Sequence, residues 1–175
     1  MAYSAKAIAN EFLGLANDPC APIDPMKMQK LVYFAHGWCL ALKDTPLVNE
    51  PIQAWRYGPV IRDLYNAFRD EGSGPITHPA YDFFFKQNEN GRSIVMREPR
   101  IVDQEQDSQI GNEFAKSLLS EIWKVYGKFS GVQLSNLTHE VGTPWDETWK
   151  ATPSGNAVIT DEVMTRYFKA QAKSA

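Results

Sequence analysis

A mainly α-helical fold is what this sequence predicts: about six or seven helices packed compactly around one central apolar helix, with a small β-hairpin or sheet element. Three observations carry that expectation. Helix start signals recur along the chain, each followed by apolar residues at helical spacing. Residues 31–42 are apolar on nearly every helical face, as befits a helix surrounded by others. Extended patterning is confined to short stretches beside glycine and proline.

The first helix is expected over residues 5–16, capped by Ser4, with Ile8, Phe12 and Leu15 as its apolar stripe. Tyr3 and Ile8 stand at hydrophobic-staple positions around that cap. Residues 17–22 carry two prolines and read as a loop. Asp24 and Pro25 then form a strong start signal, because proline at the first helical position loses no hydrogen bond. Ile23 and Met28 repeat the staple spacing. The helix that follows holds Phe34 and Trp38 in its buried run, and Gly37 is expected to let a neighbouring backbone come close.

Residues 52–57 read as a short extended segment, after which Gly58-Pro59 is expected to open a third helix. Its stripe is Ile61, Leu64, Tyr65 and Phe68, ending at Gly72. Residues 81–86 and 92–97 flank Asn90-Gly91 and predict a hairpin, with a loop longer than two residues and therefore an open register. A fourth helix is expected from near Asp107 to just before Gly127, facing inward through Ile110, Phe114, Leu118, Ile122 and Val125. Ser130 and Gln133 form a capping box for a fifth, which Leu134, Leu137, Thr138 and Val141 carry to Gly142. Thr143-Pro144 starts a short helix with Trp145 and Trp149. Thr160 caps the last one, turning Val163, Met164, Tyr167 and Phe168 inward. Apolar patterning runs nearly end to end without repeats, so residues 1–175 are expected to form a single domain.

Composition narrows the function. The chain has 175 residues and a formal net charge of −3, and its basic residues are scattered. That is the wrong electrostatic footprint for a phosphate backbone, so no direct nucleic-acid binding is expected. With no signal-like start and no apolar run long enough for a bilayer, a cytoplasmic protein is expected. The two cysteines, Cys20 and Cys39, do not make a disulfide framework, and Cys39 reads as a small core hydrophobe.

Reactive groups do not converge. A phosphate-cradling glycine loop is missing, and His139-Glu140 lacks the second histidine of a zinc-protease helix. His36 and Cys39 could share a helix face, but they amount to at most half a zinc site. Asp146 and Glu147 suit a helix start, where the dipole welcomes carboxylates. Ser154-Gly155 lies in a polar loop rather than at a nucleophile elbow. No catalytic residue, metal or cofactor is assigned, and a binding protein is the expectation.

Two stretches are rich in interface-type residues. The first places Trp55, Arg56 and Tyr57 just ahead of Arg62, and such residues dominate interface hot spots. Alternation along an extended segment leaves a second reading open, with Trp55 and Tyr57 inward and Arg56 alone outward. The second stretch runs from Leu134 to Trp145, where His139 and Trp145 either face a partner or pin a helix corner together.

Together with the block Met28-Gln29-Lys30-Leu31-Val32-Tyr33-Phe34-Ala35-His36-Gly37-Trp38, these stretches resemble the Panacea domain, which includes SocA-type antitoxins and phage-associated GepA-like proteins. The matching blocks are that one, Ala54-Trp55-Arg56-Tyr57-Gly58-Pro59-Val60, Leu134-Ser135-Asn136-Leu137-Thr138-His139, and Gly142-Thr143-Pro144-Trp145. The resemblance implies a compact helical domain of bacteria and their prophages. It implies an antitoxin that neutralises a cognate toxin protein by direct contact. An alternative is a phage-associated protein bound to another host protein, or a proteolytic adaptor that hands its cargo to an ATP-dependent protease. The resemblance brings no catalytic residues with it. The tail at 170–175, rich in small residues, is compatible with a flexible or protease-accessible end.

Overall fold

The computed structural model describes residues 2–16, 21–88, 91–104, 109–152 and 155–174. Cys20 and most of the proline loop before Pro22 lie outside them, as do Asn90, Asp107 and Ser154. The elements are α1 (Ala5–Leu15), α2 (Pro25–Lys43), β1 (Ile52–Trp55), β2 (Gly58–Ile61), α3 (Arg62–Phe68), β3 (Asp82–Asn88), β4 (Gly91–Arg97), α4 (Asn112–Tyr126), α5 (Gly131–Thr138), α6 (Pro144–Ala151), β5 (Ala157–Val158) and α7 (Asp161–Ser174). Short 3-10 turns occupy Arg69–Glu71 and Ile101–Gln104. The fold is mainly α with small antiparallel sheets, as the patterning predicts.

Local chemistry sets the helix starts. Ser4 accepts from Ala7 N–H at 3.2 Å and Asp24 from Lys27 N–H at 2.8 Å. Ser130 and Gln133 complete a reciprocal capping box at 3.2 and 2.8 Å. Thr143 accepts from Asp146 N–H at 3.2 Å, and Thr160 caps α7 through Val163. Both staple pairs, Tyr3 with Ile8 and Ile23 with Met28, are buried.

Helix α2 is the centre, touched by α1, α3, α4, α5, α7 and β2. Its core-facing side chains are buried, Phe34 and Cys39 among them, while Trp38 is half-buried and Leu42 is exposed. Phe34 stacks on Tyr126 at 4.3 Å and meets Tyr33 and Phe168 edge-on at 5.3 and 6.3 Å. Gly37 does allow a close approach, but by a side chain and not by backbone. A Cβ there would sit 2.1 Å from Cε2 of Phe168, so α7 seats its aromatic ring directly on the glycine.

Several expectations need correction. Gly58-Pro59 does not open a helix: Gly58 starts strand β2, and α3 begins at Arg62. Strands β1 and β2 pair from Ile52↔Ile61 to Trp55↔Gly58, and β5 adds to the other side of β1. Tyr65 faces solvent, whereas Leu64 and Phe68 are buried. The β3–β4 ladder runs to Asn88↔Gly91, so two residues separate the strands rather than a longer loop. Helix α4 begins at Asn112 and buries Ala115, Leu118, Leu119 and Ile122, leaving Val125 exposed. Helix α5 stops at Thr138, and Val141 is 89% exposed. In α7, Met164 and Phe168 are buried, and the helix carries the tail through Ser174.

Candidate partner-binding surface

The three motif stretches converge on one object, the turn between β1 and β2. Gln29 of α2 fixes the end of β2 with both ends of its amide, donating to Ile61 O at 3.1 Å and accepting from Ile61 N–H at 2.8 Å. Lys30 lies one residue on, buried, and its Nζ donates to Pro59 O at 3.0 Å. Burial lowers its pKa to about 7, with Asp24 offsetting only part of the shift. Gln29 and Lys30 are thus polar residues inside an apolar helix because a strand needs their hydrogen bonds.

Side chains of α5 and α6 and of the corner between them hold the turn itself. Trp145 donates its indole N–H to Trp55 O at 2.8 Å, and Ser135 Oγ donates to Tyr57 O at 2.9 Å. His139 places Nε2 3.2 Å from Arg56 O and Nδ1 2.6 Å from Ser135 O. Both neighbours are carbonyl acceptors; a neutral ring has one N–H and the imidazolium two. The His139 ring packs on Trp145 at 3.8 Å, and Trp145 stacks on Trp149 at 5.3 Å. Three consecutive carbonyls, those of Trp55, Arg56 and Tyr57, are therefore held by helix side chains.

Gly58 makes this closeness possible. Its φ is +100°, and a Cβ would lie 2.8 Å from Thr138 Oγ1 and 2.9 Å from Lys30 Nζ. Only glycine meets both demands without strain.

With the backbone so held, the side chains at the turn divide. Trp145 is buried and His139 half-buried, both turned towards the turn's backbone. Arg56 and Tyr57 are exposed, Tyr57 at 63%, with the guanidinium 5.5 Å from the Tyr57 ring centroid. Trp55 is half-buried, 5.2 Å from Tyr65, and its N–H donates to Gln53 Oε1 at 3.1 Å. Arg62 is exposed at the start of α3. Beside them opens a groove of about 420 Å3 lined by Met26, Trp55, Arg56, Tyr57, Val60 and Tyr65, with Lys30 at its polar part.

The metal candidates are engaged elsewhere. Val48 N–H donates to His36 Nδ1 at 3.3 Å, so the neutral ring carries its proton on Nε2, 3.0 Å from Asp161 Oδ1. That hydrogen bond lowers the Asp161 pKa. Cys39 donates to Thr45 O at 3.2 Å, and burial pushes its thiol up to about 12, the range of an inert protonated sulfur. Among the described residues, no three His, Cys, Asp or Glu side chains are grouped to hold a metal ion. Among them, too, no helix is long and apolar enough to cross a membrane.

The family model described as Antitoxin SocA-like, Panacea domain, matches residues 28–146, the span that holds every block gathered at the turn. The chain belongs to this family. A curated relative, Antitoxin SocA of Caulobacter vibrioides (strain NA1000 / CB15N), is 35% identical over 142 residues, which is 81% of this chain and 68% of the relative. No solved structure matches the chain. In this Panacea domain the turn-holding roles of Gln29, Lys30 and Ser135 are what sequence reading missed. The signal was present: two polar residues, Gln29 and Lys30, stand between Met28 and Leu31, directly ahead of the run at 31–42 that is apolar on nearly every face.

Proposed function

We propose that this chain is an antitoxin, without catalytic activity, that neutralises a cognate toxin by direct protein–protein contact through the β1–β2 turn and the groove beside it. One observation carries the choice of surface. The turn's backbone is held by buried side chains from three helices, Lys30 of α2, Ser135 of α5 and Trp145 of α6, while Arg56 and Tyr57 are exposed to solvent. A rigid turn presenting arginine and aromatics binds with little ordering cost, which is how hot spots gain affinity. Arg56 can stack on a partner's ring or fork onto its carboxylate. Arg62 and the exposed edge of Trp55 extend the contact, and the apolar groove accepts an anchoring side chain. His139 and Trp145 contribute by positioning the turn. The family membership and the relative's name support the antitoxin role.

The test is co-expression with the product of the adjacent open reading frame. Growth arrest by that product, relieved by this chain, is the expected result. An adjacent product that is harmless, or whose toxicity this chain does not relieve, overturns the proposal. The surface is tested by Arg56→Ala, expected to melt like wild type and to weaken toxin binding by at least about 1 kcal/mol, roughly fivefold. A stable Arg56→Ala protein that titrates the toxin as tightly as wild type moves the interface elsewhere.

A further inference from the structure

Strands β3 and β4 form a ribbon of seven residue pairs that pairs with no other strand among the described residues. Cross-strand partners share a face, so Phe83 with Met96 and Phe85 with Ile94 make one continuous apolar surface. Their exposures are 65, 57, 79 and 67% in that order. The other face is mixed: Asp82 with Arg97, Phe84 with Val95, Lys86 with Ser93. The ribbon is nonetheless held firmly at its root. Asn10 of α1 donates to Ala80 O at 3.1 Å and Pro99 O at 3.0 Å, and accepts from Ala80 N–H at 2.8 Å. Lys6 adds an ion pair to Asp82 at 2.8 Å. An isolated two-stranded ribbon is marginal in water, and an apolar face held out in this way calls for a cover.

We propose that the Phe83–Phe85–Ile94–Met96 face joins two copies of this chain, ribbon against ribbon, about a twofold axis that runs the ribbons antiparallel. Two arguments select a second copy. The first is area: the four side chains expose roughly 500 Å² per face, taking 150–250 Å² for a large side chain. Two such faces together reach about 1,000 Å², the lower bound for a specific interface. The second is charge. On the apolar face the tip bears Arg92, opposite Gln87, while Glu98 stands two residues past Met96 at the root. A twofold axis across the middle of the face sets each Arg92 against the second copy's Glu98, twice over. Among the described residues Glu98 pairs with Arg100, at 3.4 Å on the surface, a pair weak enough to exchange. A parallel arrangement, with its axis along the strands, would instead set each Arg92 against the second copy's Gln87 and leave Glu98 without an opposing cation.

Sedimentation equilibrium of the full chain from roughly 1 to 300 µM tests this, a range suited to the weak association of interfaces at the low end of the size scale. The expected result is a concentration-dependent dimer that Phe85→Asp converts to monomer without altering the melting curve. Met96→Lys, on the same face but the other strand, is expected to do likewise, and decides the matter if Phe85→Asp unfolds. Arg92→Glu and Glu98→Arg should each weaken the dimer at least fivefold, and the double exchange should restore it. A wild-type chain that stays monomeric to the highest concentration overturns the proposal. So does a dimer that both Phe85→Asp and Met96→Lys leave intact. Failure of the double exchange to restore association overturns the antiparallel arrangement. A monomeric wild type whose Phe85→Asp variant no longer relieves the toxin assigns the face to the toxin instead.

Discussion

Gly58 concentrates the demands of the turn in one residue. Alanine there must tolerate a φ of +100° and a methyl within 2.9 Å of Lys30 and Thr138. Gly58→Ala is expected to cost about 2 kcal/mol or more by denaturant titration; an unchanged midpoint would show that the turn yields easily. Lys30 offers a second probe, through pH. Its folded pKa, near 7, lies below the unfolded value of about 10.4. Below pH 7 both states carry the proton and the full penalty of the buried charge applies. Above pH 7 the folded chain sheds a proton that the unfolded chain keeps, so stability rises with pH. Between pH 6.5 and 8.5, wild type should gain on Lys30→Met by up to roughly 1 kcal/mol per pH unit. Parallel pH profiles for the two proteins would show that Lys30 does not titrate in this window.

Elements whose start is decided by neighbours in sequence were legible. Ser4, Asp24, Ser130 and Thr143 cap the helices they announce, because a cap needs only the next three residues. The β1–β2 pair was not legible. Gly58-Pro59 ahead of an apolar stripe resembles a helix start, and what makes it a strand lies 29 and 32 residues upstream at Lys30 and Gln29. Helix ends were misjudged for a related reason. Thr143 Oγ1 donates to Thr138 O at 2.6 Å, closing the corner of α5 early and leaving Val141 outside. Of the surface residues, Arg56 and Tyr57 were visible as types but their exposure was not, since alternation was equally compatible with Tyr57 inward. At the root of the other hairpin, Asn10→Ala is expected to speed amide exchange in β3 and β4 while leaving α2 protected. Equal protection in both proteins would mean the root is held by Lys6 and packing alone.

Across the whole molecule, helix α2 takes part in the core, in the bracing of the turn and, through His36, in the seating of α7. Phe34→Ala is therefore expected to cost about 3–5 kcal/mol in thermal or chemical unfolding. A loss below about 1 kcal/mol would contradict its stacking on Tyr126 as a core contact. The packing of Phe168 on Gly37 has a consequence in time. Helix α2 is made early and α7 late, with Lys43 and Asp161 bounding the chain between them. At translation rates of about 5–20 residues per second, the aromatic face of α2 waits on the order of ten seconds for its last covering helix. Until the ring that fills Gly37 is made, the faces of Tyr33, Phe34 and Trp38 that Phe168 covers stay open, even once Tyr126 of α4 has packed on its own side. A message cut before the codon for Phe168 would leave that opening permanent.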